Sequence, residues 1–247
     1  MTSPIDVCGL RPHSYENVLQ VSSGVRQTDL LGMQRTYTRP SADEHRRFLV
    51  SFLFSGVLTP GPRECVARAY RDFSRTAAGI TADEHGKERK RLAHEMVEQF
   101  VREALAKDWT EQAFDNWHMR ACASIVRHYS KNGFPSFSIG QAQKWLNMSI
   151  KYILSLIEAD LYELPRPSNL WTVAHAPLDD FILTATGAYG GVRQCYPWSR
   201  IVDYPLYMSV QSWIRSRYPA ASALDAEFHI YNDEADRRRT TGLPDTR

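Results

Sequence analysis

Residues 138–157 read SIGQAQKWLNMSIKYILSLI. A run of this length that is apolar on most sides predicts a helix buried at the centre of the protein. It is not uniformly apolar. Lys144, Asn147 and Lys151 follow one another at steps of three and four, which places them on one helix face, and Gln143 joins them through a further step of four to Asn147. Left without partners, buried polar groups would cost roughly 1–3 kcal/mol each, and an ammonium more. The stripe is therefore expected to face a carboxylate, water or a ligand across a polar cleft. A lysine in that setting acts as an amine nucleophile or holds a phosphate. The packing alternative is a pair of snorkelling lysines beside amides that cap neighbouring loops.

Outward from this segment the chain reads as further helices. Ser41-Ala-Asp-Glu offers a cap followed by acids, with Phe48, Leu49, Phe52 and Leu53 at helical spacing and a stop at Thr59-Pro-Gly-Pro62. A second helix is expected from about Arg63 to Thr76. A third, from about Thr81 to Lys107, carries Leu92, Met96, Phe100, Val101, Ala104 and Leu105 on one side. Thr110 opens a fourth, with Phe114, Trp117, Ala121 and Ile125 along a face, and the turn at Asn132-Gly-Phe-Pro135 ends it. Beyond the central segment, Pro165 and Pro167 mark a connection, Pro177-Leu-Asp-Asp180 opens a short helix, and Asp203 to Arg217 forms another. Glu227-Phe-His-Ile-Tyr231 alternates as a short strand would. The expected fold class is all-α: a single compact helical domain over 41–234, preceded by an irregular arm over 1–40 and followed by a frayed tail over 235–247.

Composition narrows the function classes. The 247 residues are 43% hydrophobic and 23% charged, which excludes a disordered chain or a disulfide-stapled miniprotein. Thirty basic against 28 acidic residues leave a net charge of +2, so nucleic-acid binding must come from a local patch. Cys8, Cys65, Cys122 and Cys195 are too far apart for a zinc knuckle or a redox motif, and are expected as free thiols in a reducing cytosol. No stretch approaches the ~20 apolar residues of a membrane span. These features predict a cytoplasmic protein with no membrane partner, no metal and no cofactor.

Asp179 and Asp180 stand at the entrance of a short apolar helix, directly after Pro177. Such a carboxylate is an N-cap, and the helix dipole also keeps it ionised, which suits it to stabilise a developing cation or to activate water. Here the residues resemble a family. Ser138-Ile-Gly140 opens the helix that carries Lys144, and Pro177-Leu-Asp179 follows. This order is similar to the helix-hairpin-helix superfamily of DNA glycosylases, the oxoguanine type in particular, in which a hairpin ending in glycine, a helix lysine and a Pro-x-Asp occur in sequence. The family's hairpin reads Pro-Gly-x-Gly, whereas Gly140 is the only glycine between Phe134 and Gly187. The resemblance implies a helix-hairpin-helix glycosylase fold, DNA as partner, Asp179 as the catalytic carboxylate and Lys144 as a candidate amine. The set Ala142-Gln143-Lys144, Asn147, Lys151-Tyr152, Pro177, Asp179 and Trp198-Ser199 is also similar to a group of bacterial proteins, which implies defence against phage with modified DNA.

Under this reading the base is flipped into a pocket formed by Gln143, Trp145, Asn147, Lys151 and Tyr152. DNA contacts fall to Gly140, Arg193, Trp198, Arg200 and Arg215, with Tyr196, Arg217 and Tyr218 interleaved. Arg237-Arg-Arg239 reads as a solvated run that adds non-specific DNA affinity. Two other readings arise from the same residues. Arg89 and His94 match the Arg-x4-His spacing of all-α HEPN ribonucleases, in which the histidine takes the 2′-hydroxyl proton. Alternatively, the stripe of Lys144, Asn147 and Lys151 makes the protein a non-enzymatic module for an anionic ligand or an acidic partner helix.

Overall fold

The computed structural model describes residues 41–163, 168–188 and 197–242. The irregular arm expected over 1–40, the connection at Pro165 and Pro167, Arg193, Tyr196, the cysteines Cys8 and Cys195, and residues 243–247 lie outside the described residues. Among those described there is no strand, and the all-α expectation is met by nine α-helices: α1 (Ala42–Leu53), α2 (Pro62–Phe73), α3 (Gly86–Leu105), α4 (Glu111–Lys131), α5 (Ile139–Glu158), α6 (Leu170–Val173), α7 (Asp180–Ala188), α8 (Tyr204–Arg217) and α9 (Ala223–Thr241). No described helix is long and apolar enough to cross a membrane.

Helix α5 lies at the centre. Fourteen of its residues are buried, and α2, α3, α4 and α8 pack around it. Its start is built by a capping box: the Ser138 hydroxyl accepts from the Gln141 N–H at 3.1 Å while the Gln141 side chain accepts from the Ser138 N–H at 3.0 Å. Gly140 is required within the first turn. A Cβ at that position would stand 1.9 Å from the Trp198 carbonyl oxygen, so only glycine lets the 3₁₀ turn Trp198–Arg200 lie against the helix. The Gly140 N–H, a donor without an intrahelical acceptor, gives its hydrogen to the Ile201 carbonyl at 2.8 Å.

Several expectations are corrected by the packing. Helix α1 forms, but Phe48, Leu49, Phe52 and Leu53 are exposed rather than in the core. The third helix starts at Gly86, not Thr81, because the chain doubles back there: a Cβ on Gly86 would meet the Thr81 Cα at 2.4 Å, and Arg89 ties the turn by donating to the Ile80 carbonyl. The segment Glu227–Tyr231 is helical, not a strand. From Glu227 onward α9 buries Glu227, Ile230, Glu234 and Arg238, a spacing of three, four and four that belongs to a helix, and burial of charged residues hides this pattern from a hydropathy reading. The tail is likewise ordered to Thr241, where Gly242 caps it at a φ of 65°, and Arg238 is held by Glu234 and Asp180 at 2.7 and 2.8 Å.

Candidate functional site

A cleft of about 790 Å³ opens where α2, α5, α7 and α9 converge. On its floor the Lys144 Nζ donates to the Asp179 Oδ2 at 2.8 Å, with the two side chains only 6% and 19% exposed. Asp179 also caps α7, its Oδ1 accepting from the Ile182 N–H at 3.1 Å. The cap and the site are thus the same carboxylate. Burial pushes its pKa up, but the Lys144 charge, the Lys144 hydrogen bond and the Ile182 N–H outweigh that and hold it below the ordinary carboxylate value. Two turns along α5, Lys151 pairs with the buried Glu227 and lies 3.9 Å from the centre of the Phe228 ring. Here burial prevails over the Lys151 contact, and Glu227 is shifted above its ordinary value. Two carboxyl groups in one cleft are thereby driven in opposite directions.

The walls come from other elements. Tyr152 stands at the cleft with its hydroxyl donating to Asp72 at 2.9 Å, and Trp198 is brought to the mouth by the close approach to Gly140. Phe181 and Tyr231, stacked with centroids 4.8 Å apart, line the side formed by α7 and α9. Aromatic faces beside a pair of charged groups suit a planar, polar ligand.

The rear of α5 fixes this geometry. The Gln143 side chain grips the backbone of Leu178 on both sides, accepting from its N–H at 3.1 Å and donating to its carbonyl at 2.9 Å, which sets the residue just before Asp179. Asn147 donates to Gln143 at 3.2 Å and to the Tyr207 hydroxyl oxygen at 2.9 Å. The Tyr207 hydroxyl must then donate to His175 Nδ1 at 2.8 Å, so that His175 Nε2–H donates to Asp115 at 2.7 Å. The Asn147 oxygen accepts from His118 Nε2–H at 2.8 Å, leaving His118 Nδ1 to accept from the Tyr204 hydroxyl at 2.8 Å. Burial holds both histidines below the ordinary imidazole value, in keeping with these neutral tautomers. Arg215 closes the network with two bonds to Asp115, at 2.8 and 3.0 Å.

The sequence-predicted residues therefore divide. Lys144, Asp179, Lys151, Tyr152 and Trp198 meet at the cleft. Gln143 and Asn147 lie behind it and hold it in place. Trp145 is turned away altogether: its indole N–H donates to the Val66 carbonyl at 3.0 Å and its ring packs on Tyr70, Phe73 and His94. The N–H of Gly140 and the guanidinium of Arg215 are occupied within the fold, and Arg200 is exposed outside the cleft lining. Arg89, 3% exposed, donates to the carbonyls of Ile80 and Asn132, while His94 is packed between Tyr70 and Trp145, so this pair serves the packing of α3.

Sequence reasoning did not single out His118, His175, Glu227 or the arginines of α2 and of the 3₁₀ turn that follows it. The spacing of Arg68, Arg71 and Arg75, by three and four, was the one available signal. Comparison with protein-family models, with curated proteins and with solved structures finds no match.

Proposed function

We propose that the cleft is the active site of a DNA glycosylase that accepts an extruded nucleotide and cleaves the bond between its base and deoxyribose, leaving an abasic site. The observation that carries this reading is the Lys144–Asp179 pair, 2.8 Å apart on the floor of a cleft large enough for a nucleotide and walled by aromatic rings. Breaking the glycosidic bond sends its electron pair onto the base, which takes up a proton, and leaves positive charge on the sugar. A carboxylate held ionised at that place stabilises the charge as it develops. The Lys144 ammonium, engaged by Asp179, has no lone pair to offer, so water is the nucleophile this arrangement favours, with Lys144 fixing the carboxylate. Defence against phage carrying modified bases is the biological setting that the sequence resemblance suggests.

The test is incubation of the protein with unmodified DNA and with cytosine-, guanine- and adenine-modified DNA, scoring free base and abasic sites. Release from at least one substrate is expected. Asp179→Asn should reduce it by about 10²–10³-fold or more, the usual scale for loss of an electrostatic stabiliser, with DNA binding retained. Absence of release by the unaltered protein across the panel would reject the reading. Borohydride trapping of a protein–DNA adduct would reject water as the nucleophile in favour of Lys144.

A further inference from the structure

The carboxylates that line the cleft are each matched by a cation. Asp72 is bonded by Arg68, Asp179 by Lys144, Glu227 by Lys151 and Asp180 by Arg238. Two lining cations are left over. Arg71 and Arg75 form no ion pair among the described residues, and both are exposed. Arg71 donates to the neutral Ser55 hydroxyl at 2.7 Å, which steadies the guanidinium without cancelling its charge. Arg68 stands behind them, stacked 5.4 Å from the Tyr152 ring centre. The surplus positive charge of the cleft therefore lies on one wall, at the end of α2 and in the 3₁₀ turn Ser74–Ala77 that continues it.

We propose that Arg71 and Arg75 form a phosphate-binding rail along which one strand of the DNA backbone runs, bringing the extruded nucleotide from the α2 side of the cleft to the Lys144–Asp179 pair. This inference rests on the glycosylase reading for the identity of its ligand. The four residues from Arg71 in α2 to Arg75 in the 3₁₀ turn advance about 6–8 Å, at ~1.5 Å per α-helical and ~2.0 Å per 3₁₀ residue, comparable to two charges of one strand spaced ~3.4 Å apart along the duplex axis, so the two guanidinium groups can engage separate phosphates. Such contacts add affinity without sequence preference, and each contributes to the salt dependence of binding.

The experiment measures binding of a fluorescein-labelled duplex by anisotropy between ~50 and ~200 mM salt. The unaltered protein is compared with the double variants R71Q/R75Q and R71K/R75K, and with R91Q/R102Q, which removes two exposed arginines of α3 that are paired with glutamates. The rail predicts that R71Q/R75Q lowers the slope of log K against log salt by about 1.8 while R71K/R75K and R91Q/R102Q leave it unchanged. An unchanged slope for R71Q/R75Q, an equal loss in R91Q/R102Q, or no binding by the unaltered protein would overturn it. Base release is scored in parallel with the unaltered protein. Release with an unaltered R71Q/R75Q slope removes the rail and leaves the glycosylase. A lowered slope without release on any substrate leaves the rail as a DNA-binding surface and removes the glycosylase.

Discussion

The two sides of α5 solve the same problem in opposite ways. Toward the cleft, Lys144 and Lys151 are charged and each meets a carboxylate; toward the rear, Gln143 and Asn147 are neutral and meet amides, imidazoles and hydroxyls. The front pairs retain some contact with solvent, and their charges remain available to a ligand. The rear network is sealed, with His118, Gln143 and Gln211 at 0% exposure, and it contains one ionised carboxylate, Asp115, at its outer end. An ionic pair placed as deep as Asn147 would face a desolvation penalty that its mutual attraction does not reliably offset, whereas a fully satisfied neutral network avoids that penalty. The division of labour follows: the rear supplies rigidity, and the front supplies charge.

If that is correct, the largest effect on stability comes from the rear. Asn147→Leu removes the acceptor of His118 Nε2–H and the donor to Tyr207 and Gln143, at ~1–3 kcal/mol for each group left unsatisfied. A loss of about 4 kcal/mol is expected, which for a domain of this size is a fall in Tm on the order of 8–16 °C. A fall of less than about 3 °C would mean that the network contributes little and would break the comparison.

Stability against pH separates the two sides next. His118 and His175 lie below the ordinary imidazole value through burial, and His94 is pushed down to about 4 by burial and by the Lys90 charge. In the unfolded chain these groups take up protons near pH 6.5 while the native protein does not, so stability is intact above that value and declines below it. The limiting slope is about 1.4 kcal/mol per pH unit for each histidine. The contribution of the front Asp179, lowered by Lys144 against the effect of burial, is lost only at more acidic pH, as the carboxylate range is crossed. Tm measured from pH 7.5 to 5.5 should therefore fall, and His94→Phe, which replaces a ring packed on Tyr70 and Trp145, should flatten the decline by one histidine's share. A flat profile in the unaltered protein would show that the buried imidazoles take up protons over the same pH range as in the unfolded chain.

How far this division is legible in the chain depends on the range of each contact. The helical fold and the central position of α5 follow from local periodicity, and the polar stripe predicts a partner for Lys144, which Asp179 supplies from 35 residues away. Glu227 gave no such signal, because a buried glutamate within α9 interrupts the apolar pattern by which a helix face is recognised, and the same interruption made 227–231 look like a strand. Trp145 reads as an aromatic face on which a flipped base can stack, but the ring packs across the interface between α2 and α5, where its indole N–H finds the Val66 carbonyl. Arg215 reads as a phosphate ligand until Asp115, 100 residues earlier, is brought beside it by the packing of α4 and α8. In each case the residue type announced a need, and the fold decided what met it.

Two tyrosines sharpen the argument to a single atom. Tyr207 and Tyr129 are both fully buried, but the Tyr207 hydroxyl makes two hydrogen bonds in the network, while the Tyr129 hydroxyl has no partner among the described residues. Tyr207→Phe leaves His175 Nδ1 without a donor and takes from Asn147 the shortest of its acceptors, and should cost about 1–3 kcal/mol. Tyr129→Phe keeps the ring stacked on Phe137, at a centroid distance of 4.2 Å and an interplanar angle of 22°, and removes only an oxygen that burial has stripped of water. Its expected effect is the smallest of the set and of opposite sign: from no change to a gain of about 1 kcal/mol. Equilibrium denaturation in urea gives both values on one scale. A loss in Tyr129→Phe equal to that in Tyr207→Phe would show that the ring environment, rather than the network, determines what a buried hydroxyl contributes here.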